Sequence, residues 1–256
     1  MTRINLYAIY SLWLREMVRF FRLKSRVVGS LAPPFFFLAF LGLGFKSAVT
    51  PGIPEGLDYI DFLAPGIIGM TLLFSSTFAG LSVLWDREFG FLREIMVAPV
   101  SRLSIVIGRT AGGVTTAMMQ GLIILVPGII MGLNINGISG FLLSLLFMVL
   151  IGTTFNSIGL AFASKMKDMS GFSLVMNFMV FPIFLLSGAL FPVENLPDWL
   201  RPLSYLDPLT YGVDGLRGSL VGICYFPLAF DLLILTLTCF IALVIGAYLF
   251  EKSDID

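Results

Sequence analysis

The sequence predicts an all-α integral membrane fold: six transmembrane helices, an amphipathic amino-terminal interfacial helix, a helical cytoplasmic connector, and short re-entrant or interfacial helices between spans five and six. Three observations carry this. Of the 256 residues, 57% are hydrophobic and 12% charged, about half the roughly 25% charged residues of soluble domains. The apolar residues gather in six runs, each close to the roughly 20 helical residues that cross a hydrocarbon core about 30 Å thick. The charges fall between those runs and are shared unequally between the two sides.

Residues 1–26 form the first unit. Arg15, Arg19, Arg22 and Arg26 recur at the helical period, and Leu6, Tyr10, Trp13 and Met17 make the opposite stripe, flanked by Phe20 and Phe21. The pattern fits a helix lying on the membrane, aromatic face in the headgroup boundary and arginines in water. A plain basic flank is the simpler alternative. No cleaved secretory signal is expected, because the first apolar run begins only after this arginine- and aromatic-rich stretch.

Residues 27–256 form a single six-span domain. Span one covers about 27–45, and Pro33-Pro34 is expected to bend or break it by removing backbone donors. A turn-rich loop, with Pro51, Gly52, Pro54 and Gly56, leads to span two at about 59–84. Then comes Trp85 to Arg102, WDREFGFLREIMVAPVSR, a charged island between two apolar runs. Its charges Asp86, Arg87, Glu88, Arg93 and Glu94 are expected in water. Phe89, Leu92, Ile95 and Met96 fall at helical spacing as one apolar strip, and Pro99 stops that helix.

Span three, at about 103–133, exceeds the hydrocarbon thickness, so its first turns and Arg109 are expected to protrude on the island's side. Spans four and five cover about 140–163 and 171–190, and span six about 226–250. Six spans place both termini on one side, together with thirteen of the sixteen Lys and Arg residues; only Lys46, Arg201 and Arg217 lie opposite. By the positive-inside rule the termini and the island are cytoplasmic.

The segment 191–225 is too polar to span and too apolar for an ordinary loop. Asp207 followed by Pro208 predicts a helix start, N-cap oxygen then first helical residue, with the helix running to about Leu220. Asp214 and Arg217, three apart, are placed to pair on it. Pro197 opens an earlier short helix over about 198–205, and Trp199, Tyr205 and Tyr211 suit the outer interface. Two half-helices dipping back under cover of protein, or an amphipathic pair resting on the surface, both satisfy the composition.

At these residues a family resemblance emerges. Glu88-x-Gly90-x-Leu92-Arg93-Glu94, then Ala98-Pro99-Val100-Ser101-Arg102 and Gly108-Arg109, resemble the cytoplasmic loop of type-2 ATP-binding-cassette (ABC) permeases. Ser187-Gly188-x-x-Phe191-Pro192, Leu196-Pro197-x-Trp199-Leu200, Pro208-Leu209-Thr210-Tyr211, Asp214 and Arg217 are similar to that family's segment after the fifth span. The order is kept along nearly the whole chain, and the subtype most resembled is the multidrug or antibiotic-resistance permease. Lipid-linked polysaccharide exporters have a similar layout.

The resemblance implies a membrane subunit of an ABC exporter. The island would hold a coupling helix resting on a separate ATPase subunit, with Glu88, Phe89, Gly90, Leu92, Arg93, Glu94, Pro99 and Arg102 making or framing that contact. Trp13, Arg15, Met17, Arg19 and Arg22 would belong to the interfacial helix, and Pro192, Pro197, Trp199, Asp207, Pro208, Tyr211, Asp214 and Arg217 to helices shaping the outer mouth. Two ATPase copies and a second permease, most simply a second copy of this chain, would complete the transporter. ATP and Mg are expected on the ATPase, and no cofactor on this chain.

The residues themselves agree with a non-catalytic role. The chain has no GxxxxGK[ST] phosphate loop. It has no histidine, and Cys224 and Cys239 are its only cysteines, spaced too far apart for a CxxC site, so neither a conventional metal site nor the usual catalytic constellations arise. Net charge is zero, and no nucleic-acid partner is expected. The competing class is a secondary transporter or channel not coupled to ATP, which would usually place ionisable groups at mid-membrane. Here Asp61 and Asp231 are expected near span ends, within reach of water. Asn156, Asn177 and Gln120, and the Gly108-x-x-x-Gly112 and Gly128-x-x-x-Gly132 pairs, read as helix packing, with one polar side chain open to the substrate path.

Overall fold

The computed structural model describes residues 5–45, 58–90, 100–166 and 168–252. Among them, six helices are long and apolar enough to cross a membrane. In chain order the helices are α1 (Leu6–Arg22), α2 (Lys24–Gly44), α3 (Tyr59–Ala79), α4 (Leu81–Glu88), α5 (Arg102–Ile130), α6 (Gly137–Lys165) and α7 (Met169–Leu186). A 3-10 turn (Val193–Asn195), α8 (Arg201–Leu206), α9 (Pro208–Leu220) and α10 (Leu228–Glu251) follow.

The bundle is built around α3, which is apolar on every side and buried along nearly its whole length, as such a helix must be. It packs on α2, α5, α6 and α9. Helices α2, α7 and α10 keep most of their length on the outside, where Phe36, Phe40, Phe178, Leu233 and Phe240 face outward. Span two bends into α4 at Gly80. A Cβ there would lie 2.5 Å from the Gly159 carbonyl oxygen, and one at Gly159 would lie 2.2 Å from that of Thr77. The span and α6 therefore cross at backbone contact, which only small residues permit.

Pro33 and Pro34 do not break span one. Both lie inside the continuous helix α2, because in an apolar surround no water competes for the freed carbonyls and the helix remains the best conformation. The three amide side chains singled out within the spans each find a partner: Asn156 donates to the Ser76 carbonyl (3.4 Å), Asn177 to that of Ser173 (2.9 Å), and Gln120 accepts from Ser30 (3.2 Å).

Candidate functional site: the clamp and its connector

Helix α1 begins on the start of α5. Asn5 caps α1, its side chain accepting from the N–H groups of Tyr7 (3.0 Å) and Ala8 (3.3 Å), while its own N–H donates to Ser104 Oγ (3.0 Å). Ser101 caps α5 in the same way, accepting from Ser104 N. The two helices then run together, and the close approach depends on glycine. A Cβ at Gly108 would lie 3.0 Å from the Ile9 carbonyl oxygen, and one at Gly112 would lie 2.8 Å from Glu16 Cβ. Trp13 Nε1 donates to Thr115 Oγ1 (3.1 Å), and Met17 is buried.

These contacts turn α1 away from the orientation its periodicity suggests. Part of the arginine stripe leaves the water: Arg15 and Arg19 point inward to Asp86 at the end of α4. Arg15 Nη2 and Arg109 Nη2 both donate to Asp86 Oδ2, the latter at 2.6 Å, and Arg19 Nη2 lies 3.6 Å from Oδ1. Glu16 lies 3.5 Å from Arg15 and 3.7 Å from Arg19. Asp86 and Arg109 are buried, where the sequence placed one in the aqueous island and the other protruding. A buried carboxylate needs cations and a buried guanidinium an anion, and three helices converge to supply both. The face left outward holds Leu6, Tyr7, Tyr10, Leu14, Val18 and Phe21, with Arg22 exposed at the helix end.

Other cations on this side tie helix ends together. Arg87 donates to the carbonyls of Met166 (2.9 Å) and Ser164 (3.3 Å) at the end of α6, and Arg102 donates to that of Glu251 at the end of α10. The connector is thus entered and left from rigid ground. At its start Glu88 and Phe89 are exposed, Phe89 at 79%, and Gly90 has φ +76, a left-handed conformation suited to glycine. Leu92, Arg93, Glu94 and Pro99 lie outside the described residues, as do Ile95 and Met96.

The segment between spans five and six folds partly inward. Helix α9 starts and ends where the Asp207-Pro208 pair predicts, Asp207 Oδ1 accepting from Leu209 N (2.9 Å). It is buried on all sides among α3, α6 and α10, so it does not rest on the surface. The earlier helix is shorter than expected, beginning at Arg201. Trp199 before it is exposed, and Pro192 and Pro197 lie in the turns around the 3-10 element. Asp214 and Arg217 are only loosely paired, at 4.0 Å. Asp214 instead receives the N–H groups of Tyr225 (2.9 Å) and Phe226 (2.8 Å), and Arg217 donates to the Gly188 carbonyl (3.0 Å) and covers the Phe62 ring at 3.8 Å. Burial pushes the Asp207 carboxyl up to about 8, against the opposing hydrogen bond from Leu209.

With this arrangement described, comparison with known proteins is decisive. Residues 7–221 match the family model of the ABC-2 type transporter. The chain belongs to the ABC-2 type transporter family. It is 28% identical over 238 residues to the inner membrane transport permease YadH of Escherichia coli, covering 91% of each chain. It is 30% identical over 205 residues to the putative transport permease ycf38 of Cyanophora paradoxa, covering 77% of this chain and 70% of that one. It is 26% identical over 199 residues to nodulation protein J of Sinorhizobium fredii, covering 77% and 74%.

This ABC-2 permease is therefore a multi-pass membrane permease of an ABC transporter, a system that includes an ATPase partner. What sequence reasoning missed in it is the clamp. The available signal was Arg109, an ionisable residue seven positions inside a span, which calls for a named partner; the structure supplies Asp86, at the end of the preceding span. Asp61 and Asp231 are buried rather than wet. Asp61 accepts from Asn134 N (3.0 Å), and α9 covers the start of α10, with Tyr211 against Phe230 (5.9 Å between rings).

Proposed function

We propose that the chain is the membrane half of an ATP-driven exporter, moving an amphipathic or lipid-like molecule such as a drug, a lipid or a lipid-linked glycan outward. Two copies of this chain form the path and two copies of a separate ATPase subunit drive it, with ATP and Mg bound on that subunit. Both termini and the connector face the cytoplasm. Residues 88–102 are the coupling element: Phe89 and Leu92 supply apolar docking area, at roughly 25 cal/mol per Å² buried, while Glu88, Arg93 and Glu94 set register. The helices of 191–225 shape the outer mouth.

One observation carries the reading. The connector is held between α4 and α5, and Asp86 locks both, through Arg109, Arg15 and Arg19, to α1. A push on the connector therefore moves three helices as one body, which is what transmission from a soluble motor requires. The test is co-expression of the tagged chain with candidate ATPase subunits, pull-down in detergent, and ATP-driven movement of labelled amphiphiles in vesicles. Scrambling Glu88 to Arg93 should abolish both capture and transport. Capture and transport indifferent to the scramble, or movement of a small ion without ATP, would overturn the proposal.

A further inference from the structure

A cavity of about 360 Å³ lies among α1, α2, α3, α5 and α6, a volume within the range of small-molecule sites. Its walls change character along its length. Phe74 and Phe78 of α3 and Pro33 and Pro34 of α2 line an apolar portion, and Arg19, Arg109 and Glu16 line the charged one. Arg109 commits Nη2 to Asp86, but its Nε and Nη1 are buried and have no hydrogen-bond partner, while Arg19 Nη1 has only the ion pair with Glu16 at 3.7 Å. Around them three guanidiniums face two carboxylates, Asp86 and Glu16, so one positive charge is in excess. Buried donors on a charged group are costly to leave unmade, and an apolar space opening beside them is shaped for a ligand with an anionic head and an apolar tail.

Depth narrows the class. The 29 residues of α5 span about 43 Å at 1.5 Å per residue, the bilayer thickness with its headgroups; Arg109, about 10 Å in, then lies just beneath the headgroup layer, which its long side chain can reach. We propose that this cavity binds an anionic phospholipid of the cytoplasmic leaflet, its phosphate on Arg109 and Arg19 and an acyl chain against Phe74, Phe78 and the Pro33-Pro34 turn of α2. The lipid is a resident ligand of each subunit. Its phosphate takes up the donors that Arg109 leaves unmade, and its binding does not depend on export.

The experiment measures lipid retained by the purified, delipidated full chain after incubation with phosphatidylglycerol, with phosphatidylcholine, or with inorganic phosphate, read by native mass spectrometry and by thermal protection. Phosphatidylglycerol should be retained at least tenfold over phosphatidylcholine. Arg109→Gln should reduce that retention about tenfold. Ser75→Phe, at a lining position that makes none of the ion pairs, should do the same by occupying the cavity, and it decides the matter if the arginine variant fails to fold. Equal retention of both lipids, or retention unchanged in Ser75→Phe, would overturn the proposal. Protection by inorganic phosphate equal to that by phosphatidylglycerol would also overturn it, because the site would then take a small anion without a tail.

Discussion

Asp86→Ala removes the anion that, among the described residues, contacts Arg15, Arg19 and Arg109 alike. Its side chain is 5% exposed and that of Arg109 4%, with 2.6 Å between them, so neither charge can be rescued by water without opening the clamp. Removing one partner of such a pair costs about 3–5 kcal/mol. Arg109→Met is milder, since Asp86 keeps Arg15 and loses one hydrogen bond to a charged group, about 1.5–3 kcal/mol. The double variant leaves no buried guanidinium on α5, and should fall short of the sum of the single losses by about 1–3 kcal/mol. Unfolding in mixed micelles, titrated with a denaturing detergent for all four members of the cycle, supplies the numbers. Losses that simply add, or an Asp86→Ala variant within about 1 kcal/mol of the parent, would refute the clamp as a coupled unit.

Three further expectations concern other parts of the fold. Gly112→Leu forces a side chain into Glu16 Cβ, 2.8 Å from where its Cβ would sit. It should cost about 1–3 kcal/mol by overpacking and lift α1, seen as a red shift of Trp13 emission in a background lacking Trp85 and Trp199. Asp207 has a carboxyl raised from 3.8 to about 8, so the folded state binds the proton more tightly than the unfolded one. Its contribution is full below about pH 4 and is lost as pH rises through about 8. Asp207→Asn, which keeps the acceptor for Leu209 N, should flatten the fall in melting temperature across that window. Asp214→Ala leaves the N–H groups of Tyr225 and Phe226 without their acceptor and should lower stability by about 1–3 kcal/mol, with Asp214→Asn losing less in the same melting assay.

The spans were legible because a membrane helix is specified by length and composition alone. Each apolar run became a helix within a few residues of its expected ends. Helix α9 was legible from Asp207-Pro208, a local capping rule, and its burial was not, because nothing within the segment encodes the three helices that enclose it. The same limit explains α1. Its period is plain, yet which stripe faces the protein was decided by Gly108, Gly112 and Asp86, far away in sequence. Charged residues in a chain with so few of them read as solvent markers, and Asp86, Arg109, Arg15 and Arg19 show the opposite solution, in which ions leave water by meeting one another.

The measurement that tests the central claim most directly is cross-linking from Phe89, the exposed residue at the mouth of the connector. With Cys224 and Cys239 replaced by serine, a Phe89→Cys variant is co-purified with an ATPase subunit carrying single cysteines around its docking cleft, and transport is followed during ATP hydrolysis. The account predicts a cross-link at one cleft position, loss of ATP-driven transport when it forms, and recovery on reduction. No cross-link at any position, or transport that continues with the link in place, would contradict it.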